Sequence, residues 1–160
     1  ADATRISIEN RRKQLAQCIW LRRRVLAHLA ASEPLIVLGD FNDGPGIDEY
    51  EQLFGHSGVE IVLGTAHGAE TQLYDPHAAM ALQRRLGAQP TTARFLNWHT
   101  GRYLSALLDY IMVSPDLAAK EPNWCIWHPF DDPKCWGDQG LRDALLTASD
   151  HFPVSLDIDL

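Results

Sequence analysis

The stretch that most constrains this chain is Leu35-Ile36-Val37-Leu38-Gly39-Asp40-Phe41-Asn42-Asp43, because it follows a long amphipathic segment with almost no linker. Four apolar residues in a row read as a strand buried on both faces. Gly39 then lets the backbone turn, and Asp40 and Asn42 follow at the carboxyl end, where open α/β sheets bind ligands. A carboxylate and an amide two residues apart can reach one small polar target there, a metal ion or a phosphate. Upstream, Thr4 to Ala31 has helical periodicity, and Glu33-Pro34 ends it. Helix, short loop, buried strand is an α/β unit.

On the helix, Leu15, Cys18, Ile19, Leu26 and Leu29 mark the apolar face. Arg11, Arg12, Lys13 and Arg22 to Arg24 fall mainly on the rest and read as a solvated face. Gly44-Pro45-Gly46 is a tight loop, followed by a short helix from Asp48 to Phe54. Glu60 to Leu63 reads as a strand, and Pro76 to Leu86 as a helix with proline in its first turn and Gly87 past its end. Gln89 to Tyr103 is polar and loop-like, with Thr91, Thr92 and Arg94 in position to face a substrate. Leu107 to Val113 is a second buried strand, stopped by Ser114-Pro115.

Residues 121–140, rich in Pro, Trp, Asp and Gly, form a long irregular excursion and a candidate functional loop. Its Trp124, Trp127, Phe130 and Trp136 either pack the loop down or stack on a base or lipid. Leu141 to Leu146 reads as a short helix, and Val154 to Leu160 alternates as a strand with one wet face. His56, His67, His77 and His99 are scattered and read as surface residues. At 160 residues the chain suits one domain, and no apolar run is long enough to span a membrane.

Charge is unevenly placed. The net charge is -7, yet seven of the 14 basic residues lie in the first 24 positions against only Asp2 and Glu9, leaving that segment at +5 and the remainder at -12. Such a body is a poor general binder of polyanions unless metal ions offset the acid. Cys18, Cys125 and Cys135 have no metal-ligand spacing. Cys125 and Cys135 could pair in an oxidising compartment, although the odd number favours thiols.

Acids recur at strand ends. Asp40 and Asn42 follow one strand, Asp109 sits inside another, and Asp150 and His151 precede the last. With the first and last strands antiparallel neighbours, three carboxylates, an amide and an imidazole would meet on one edge. Carboxylate repulsion makes that cluster costly without a cation, and oxygen ligands suit Mg²⁺ or Mn²⁺ better than Zn²⁺. Asp109 interrupts an apolar run and needs a partner. His151 would make it half of an oriented base, whereas nearby backbone N–H groups would make it a loop cap; spacing leaves both open.

Gly39-Asp40-Phe41-Asn42, Leu108-Asp109-Tyr110-Ile111 and Ser149-Asp150-His151-Phe152-Pro153, in that order, resemble the endonuclease/exonuclease/phosphatase superfamily. It includes pancreatic-type deoxyribonucleases, apurinic-site endonucleases, sphingomyelinases and inositol-polyphosphate 5-phosphatases. The resemblance implies metal-assisted hydrolysis of a phosphate ester by activated water, with Mg²⁺ or Mn²⁺ as cofactor. Asp40 would orient or deprotonate the water, or contact the metal, and Asn42 would hydrogen-bond the scissile phosphate. Asp150 would be a metal ligand, and His151, held by Asp109, would contact the phosphate and share in proton transfer. The substrate would be a phosphate ester in a nucleic acid or a phospholipid head group.

The implied fold is α/β, a four-layer sandwich with mixed, largely antiparallel sheets. Its N-terminal half supplies an early Asn, the principal Glu metal ligand and a further histidine, and nothing in this sequence matches them. Residues 1–160 are therefore expected to be the C-terminal portion of a single such domain, lacking its N-terminal half and inactive alone. Ala106-Leu107 also departs from relatives that carry a basic residue before Asp109. The competing reading is a non-catalytic binding or interaction protein that keeps the half-sandwich.

Overall fold

The amphipathic segment forms helix α1, Asp2–Ala30, in a computed structural model that describes residues 2–45, 51–83, 89–98 and 100–160. Its buried stripe is Arg11, Leu15, Cys18, Arg22 and Val25, spaced alternately by four and three. That stripe is rotated from the expected one: Ile19 is exposed, while Arg11 and Arg22 are only 4% and 5% exposed. The correction has a polar cause. Arg11 meets the buried Asp43 carboxylate, and Arg22 donates to the carbonyls of Val62 at 3.3 Å and Thr71 at 2.8 Å.

Glu60 to Leu63 belongs to a helix, α3, Gly58–Leu63, and not to a strand. Ser57 Oγ accepts from Glu60 N at 3.2 Å and Glu60 Oε2 accepts from Ser57 N at 2.7 Å, a reciprocal capping box that fixes the first turn. Gly64 ends the helix at φ 80° beneath the Arg22 guanidinium, where any side chain would collide. Before it lies α2, Glu51–Phe54, the part of the expected Asp48–Phe54 helix that falls within the described residues. After it, α4 runs Pro76–Leu82, capped by Asp75 and ending at Gln83. Gly87, its expected stop, lies outside the described residues.

Strand β1, Ile36–Asp40, pairs antiparallel with β4, Asp109–Val113, from Ile36↔Val113 to Asp40↔Asp109. Gly39 sits inside the ladder opposite Tyr110, with φ 147°, so the strand runs on and the turn comes later, at Asn42. β1 is not buried on both faces: Ile36 is 39% and Leu38 69% exposed, whereas Val37 packs on the core. Among the described residues the strand pairs only with β4, and residues of α1, α3 and α4 form the core on which Val37 packs. Tyr110, Met112, Val59, Val62, Leu73 and Val25 fill the space between.

Two segments expected to be irregular are structured. Gln89 to Tyr103 contains β2, Ala93–Asn97, and most of a hairpin with β3, Arg102–Ala106. The 121–140 excursion contains β5, Asn123–Ile126, and α6, Pro133–Gly137, capped by Asp132. β5 pairs antiparallel with β6, Val154–Asp157, so among the described residues the last strand neighbours β5, and the condition of a β1 neighbour is not met. Alternating Trp124, Cys125, Ile126 and Trp127 supply β6 with a closer partner. Two helices complete the chain: α5, Pro115–Ala118, and α7, Gln139–Ala148, longer than expected at both ends.

The result is a mixed α/β chain in which every pairing of named strands is antiparallel. Among the described residues no helix is long and apolar enough to cross a membrane. All three cysteines are free; Cys125 Sγ lies 3.8 Å from Asp132 Oδ2 rather than bonded to Cys135.

Candidate active site

The β1–β4 register brings Asp40 opposite Asp109 at one end of the ladder. Beyond Asp40 the chain turns sharply at Asn42, whose φ of 48° is tolerated by asparagine better than by most side chains. Its backbone N–H donates to Asp40 Oδ1 at 2.7 Å and its Nδ2 to Asp40 Oδ2 at 2.9 Å, so both carboxylate oxygens are oriented. From α1, Gln14 Nε2 donates to the carbonyls of Phe41 and Asn42 at 3.0 and 2.9 Å. One residue further on, the fully buried Asp43 accepts from Arg11, Gly44 N and Gly58 N. Tyr110 Oη closes the loop by donating to Asp43 O and Leu107 O, at 3.1 and 2.8 Å. Burial, with the charges of Asp43, Asp75 and Asp109, pushes that phenol up and keeps it a donor.

His151 reaches the site through β2. Arg94 N donates to Asp150 O at 2.7 Å, Phe152 N donates to Thr92 O at 2.6 Å, and Ala93 bridges His151. The fully buried Thr92 Oγ1 accepts from the N–H groups of Leu108 and Asp109, each at 3.0 Å. One strand thus holds the Asp109 backbone and the segment before β6 in register. The outcome is a 2.8 Å hydrogen bond between His151 Nδ1 and Asp109 Oδ2. Of the two roles open to Asp109, the structure shows the imidazole partner. The backbone-capping role belongs instead to Asp75, which accepts from Ala78 N at 2.9 Å and Ile111 N at 3.0 Å.

Ligand atoms of Asp40, Asp109 and His151 all lie within 4.8 Å of one another. Asp40 is exposed and the other two are half-buried, so the group is open to solvent on one side. Partial burial disfavours charge on His151, but the Asp109 hydrogen bond and the charges of Asp109, Asp40 and Asp150 outweigh it and raise the imidazole pKa. The Asp109 contact at Nδ1 fixes the orientation of the His151 ring. Two carboxylates beside an imidazole match in kind the donors of a divalent cation site. Asp150 is exposed and stands outside that group, lining a neighbouring cavity with Arg94, Tyr103 and Ser149.

Other expected residues divide. Thr92 does not face a substrate; it is a buried brace, because its hydroxyl is needed by two strand N–H groups. His56 and His67 are exposed, but His77 is not a surface residue, its side chain 18% exposed beside Asp75. Burial lowers the His77 pKa against the pull of Asp75. His99 lies outside the described residues. Trp124 and Trp127 pack down, their indole N–H groups donating to Ile111 O at 2.8 Å and Ser155 Oγ at 3.0 Å, while Phe130 and Trp136 stay exposed. Missed altogether were Gln14, the Arg11–Asp43 pair and the buried His128. Helix periodicity places Arg11 and Gln14 one turn apart, but nothing local points to their partners.

The model of the family described as Endonuclease/Exonuclease/phosphatase matches residues 7–151 of the chain. No curated protein and no solved structure matches it.

Proposed function

The chain belongs to the endonuclease/exonuclease/phosphatase family, and from that premise we propose that it carries one wall of a metal-dependent phosphoesterase site. The family is generally hydrolytic, of nuclease or phosphatase type, and typically depends on a divalent metal. The observation that carries the reading is the Asp40, Asp109 and His151 group, whose ligand atoms fall within 4.8 Å of one another.

Each side chain then has a task. His151, its ring fixed through Nδ1 by Asp109, offers Nε2 to the phosphate and shares in proton transfer. Asp40, oriented through both oxygens, aligns or deprotonates the attacking water. One Asn42 amide N–H is spent on Asp40, which leaves the second for a phosphoryl oxygen. Asp150 and Asp40 would hold Mg²⁺ or Mn²⁺, which supplies charge neutralisation at the phosphoryl oxygens. The substrate is a phosphate ester, in a nucleic acid or a phospholipid head group.

We further propose that an N-terminal half of the same domain completes a four-layer sandwich and supplies the remaining metal ligand. The exposed Ile36 and Leu38 on the open face of β1 support this, since a covering layer would bury them. The isolated chain is then inactive.

The test assays the intact protein, with Mg²⁺ and with chelator, on nicked DNA, a phospholipid head-group ester and a generic phosphodiester. Metal-dependent hydrolysis of at least one is expected. His151→Ala should lower its rate by roughly 10²–10⁴-fold, the usual contribution of a positioned acid or base. Hydrolysis of none of the three would overturn the enzyme reading.

A further inference from the structure

Next to the Asp109–His151 pair lies a second feature that the hydrolytic roles leave unused. Arg94 on β2 lies over two aromatic rings: its guanidinium carbon is 3.9 Å from the Tyr103 ring centroid and 5.1 Å from that of Phe130. Cation–π contact with a ring does not use up the N–H donors of a guanidinium, which stay available to an in-plane acceptor. Among the described residues those donors meet no carboxylate or carbonyl, and no ion pair is formed. Arg94 instead lines a cavity of about 350 Å³ together with Ser149, Asp150 and Phe152. Its own backbone N–H is bonded to Asp150 O at 2.7 Å, so the side chain is registered to the segment that carries His151.

We propose that Arg94 is an anion-binding residue of this site, its N–H edge receiving a phosphoryl oxygen of the substrate. The inference rests on the phosphoesterase reading for its ligand but on separate observations for its geometry. A fork of parallel donors matches two oxygens of a phosphate, and pre-ordering by two rings reduces the rotamer freedom lost on binding. In a body at -12, an arginine that forms no ion pair among the described residues and shares its cavity with Asp150 is suited to a ligand more anionic than its surroundings. Were Arg94 only a strut for Tyr103 and Phe130, its loss would alter stability and leave anion affinity unchanged.

The probe is inorganic phosphate, titrated calorimetrically into the intact protein with Mg²⁺ present, for wild type, Arg94→Met and Arg94→Lys. Methionine keeps an unbranched stem between the rings, and lysine keeps the charge without the fork. Wild type should bind phosphate, Arg94→Met should weaken it by roughly 10-fold or more, as for loss of a charged hydrogen bond, and Arg94→Lys should fall between. In turnover assays the same loss appears mainly in KM. Phosphate affinity within about twofold of wild type in Arg94→Met, or no phosphate binding by wild type, overturns the proposal. Phosphate binding that depends on Arg94 in a protein that hydrolyses none of the three esters keeps the anion site and removes the hydrolase.

Discussion

His128 is a histidine whose charged form the fold disfavours. It is buried, its ring packs edge-on against Phe152 at 4.7 Å, and Nδ1 accepts from Asp131 N and Phe130 N at 3.1 and 3.3 Å. Nε2 faces Thr91 Oγ1 at 3.2 Å. Desolvation lowers its pKa, the Asp131 carboxylate at 3.2 Å pulls the other way, and Arg94 adds to the lowering. The unfolded chain takes up a proton near pH 6.5 and the folded chain only at a lower pH, so the unfolded state gains as pH falls through that window. Stability is full above about pH 6.5 and falls by at most about 1.4 kcal/mol per pH unit below it from this one group. Urea midpoints of wild type and His128→Gln between pH 7.5 and 5 should therefore converge as pH drops, even though His77 contributes a similar slope to both proteins. Parallel curves would show His128 titrating alike in both states. This residue gave no sequence signal, because what disfavours its charge is packing by Phe152 and Thr91, which are distant in sequence. Asp40, Asn42, Asp109 and His151 were legible for the opposite reason: their motifs are short and carry their chemistry locally. Arg11 was misread as solvated because its partner Asp43 lies 32 residues away.

Elements were legible where capping or periodicity is local, and misread where an apolar run had two meanings. Glu60-Ile61-Val62-Leu63 reads as strand by its β-branched residues, yet Ser57, three residues before Glu60, is the capping-box signature that settles it as helix. Asp75-Pro76 and Asp132-Pro133 are likewise N-cap followed by N1 proline, and both open helices. Only the first was read as one. The β2–β3 hairpin was hidden by its polar composition, and its identity comes from long-range pairing: Thr92 and Ala93 are satisfied by residues 108–109 and 151–152. The capping box gives a direct test. Ser57→Ala should cost about 0.5–2 kcal/mol, toward the upper end because Ser57 is fully buried and its hydroxyl also serves Glu60. A urea midpoint unchanged in Ser57→Ala, with the same m-value, would mean that packing against α1 alone holds the turn.

Across the whole molecule the charge is split between a basic α1 and an acidic remainder, and α1 is docked rather than free, with Arg11 and Arg22 drawn inside. Asp40 and Asp109 face each other at one end of the β1–β4 ladder beside His151, an arrangement that gathers ligand atoms in the folded state and not in the unfolded chain. A cation that binds only the folded form stabilises it by RT ln(1 + [L]/Kd). A few solvent-open carboxylates are expected to hold a divalent cation with a Kd on the order of millimolar. At ten times Kd that amounts to about 1.4 kcal/mol, and for a chain of this size roughly 3–6 °C in Tm. Melting the 160-residue chain in increasing MgCl₂, with KCl adjusted to constant ionic strength, should give a gradual rise of that size. Asp40→Asn should remove most of it, since Asp40 is the exposed carboxylate of the group. Saturation at micromolar Mg²⁺ in the 160-residue chain would place the strongest ligand among Asp40, Asp109 and Asp150. A second half of the domain would then not be needed to complete the metal site.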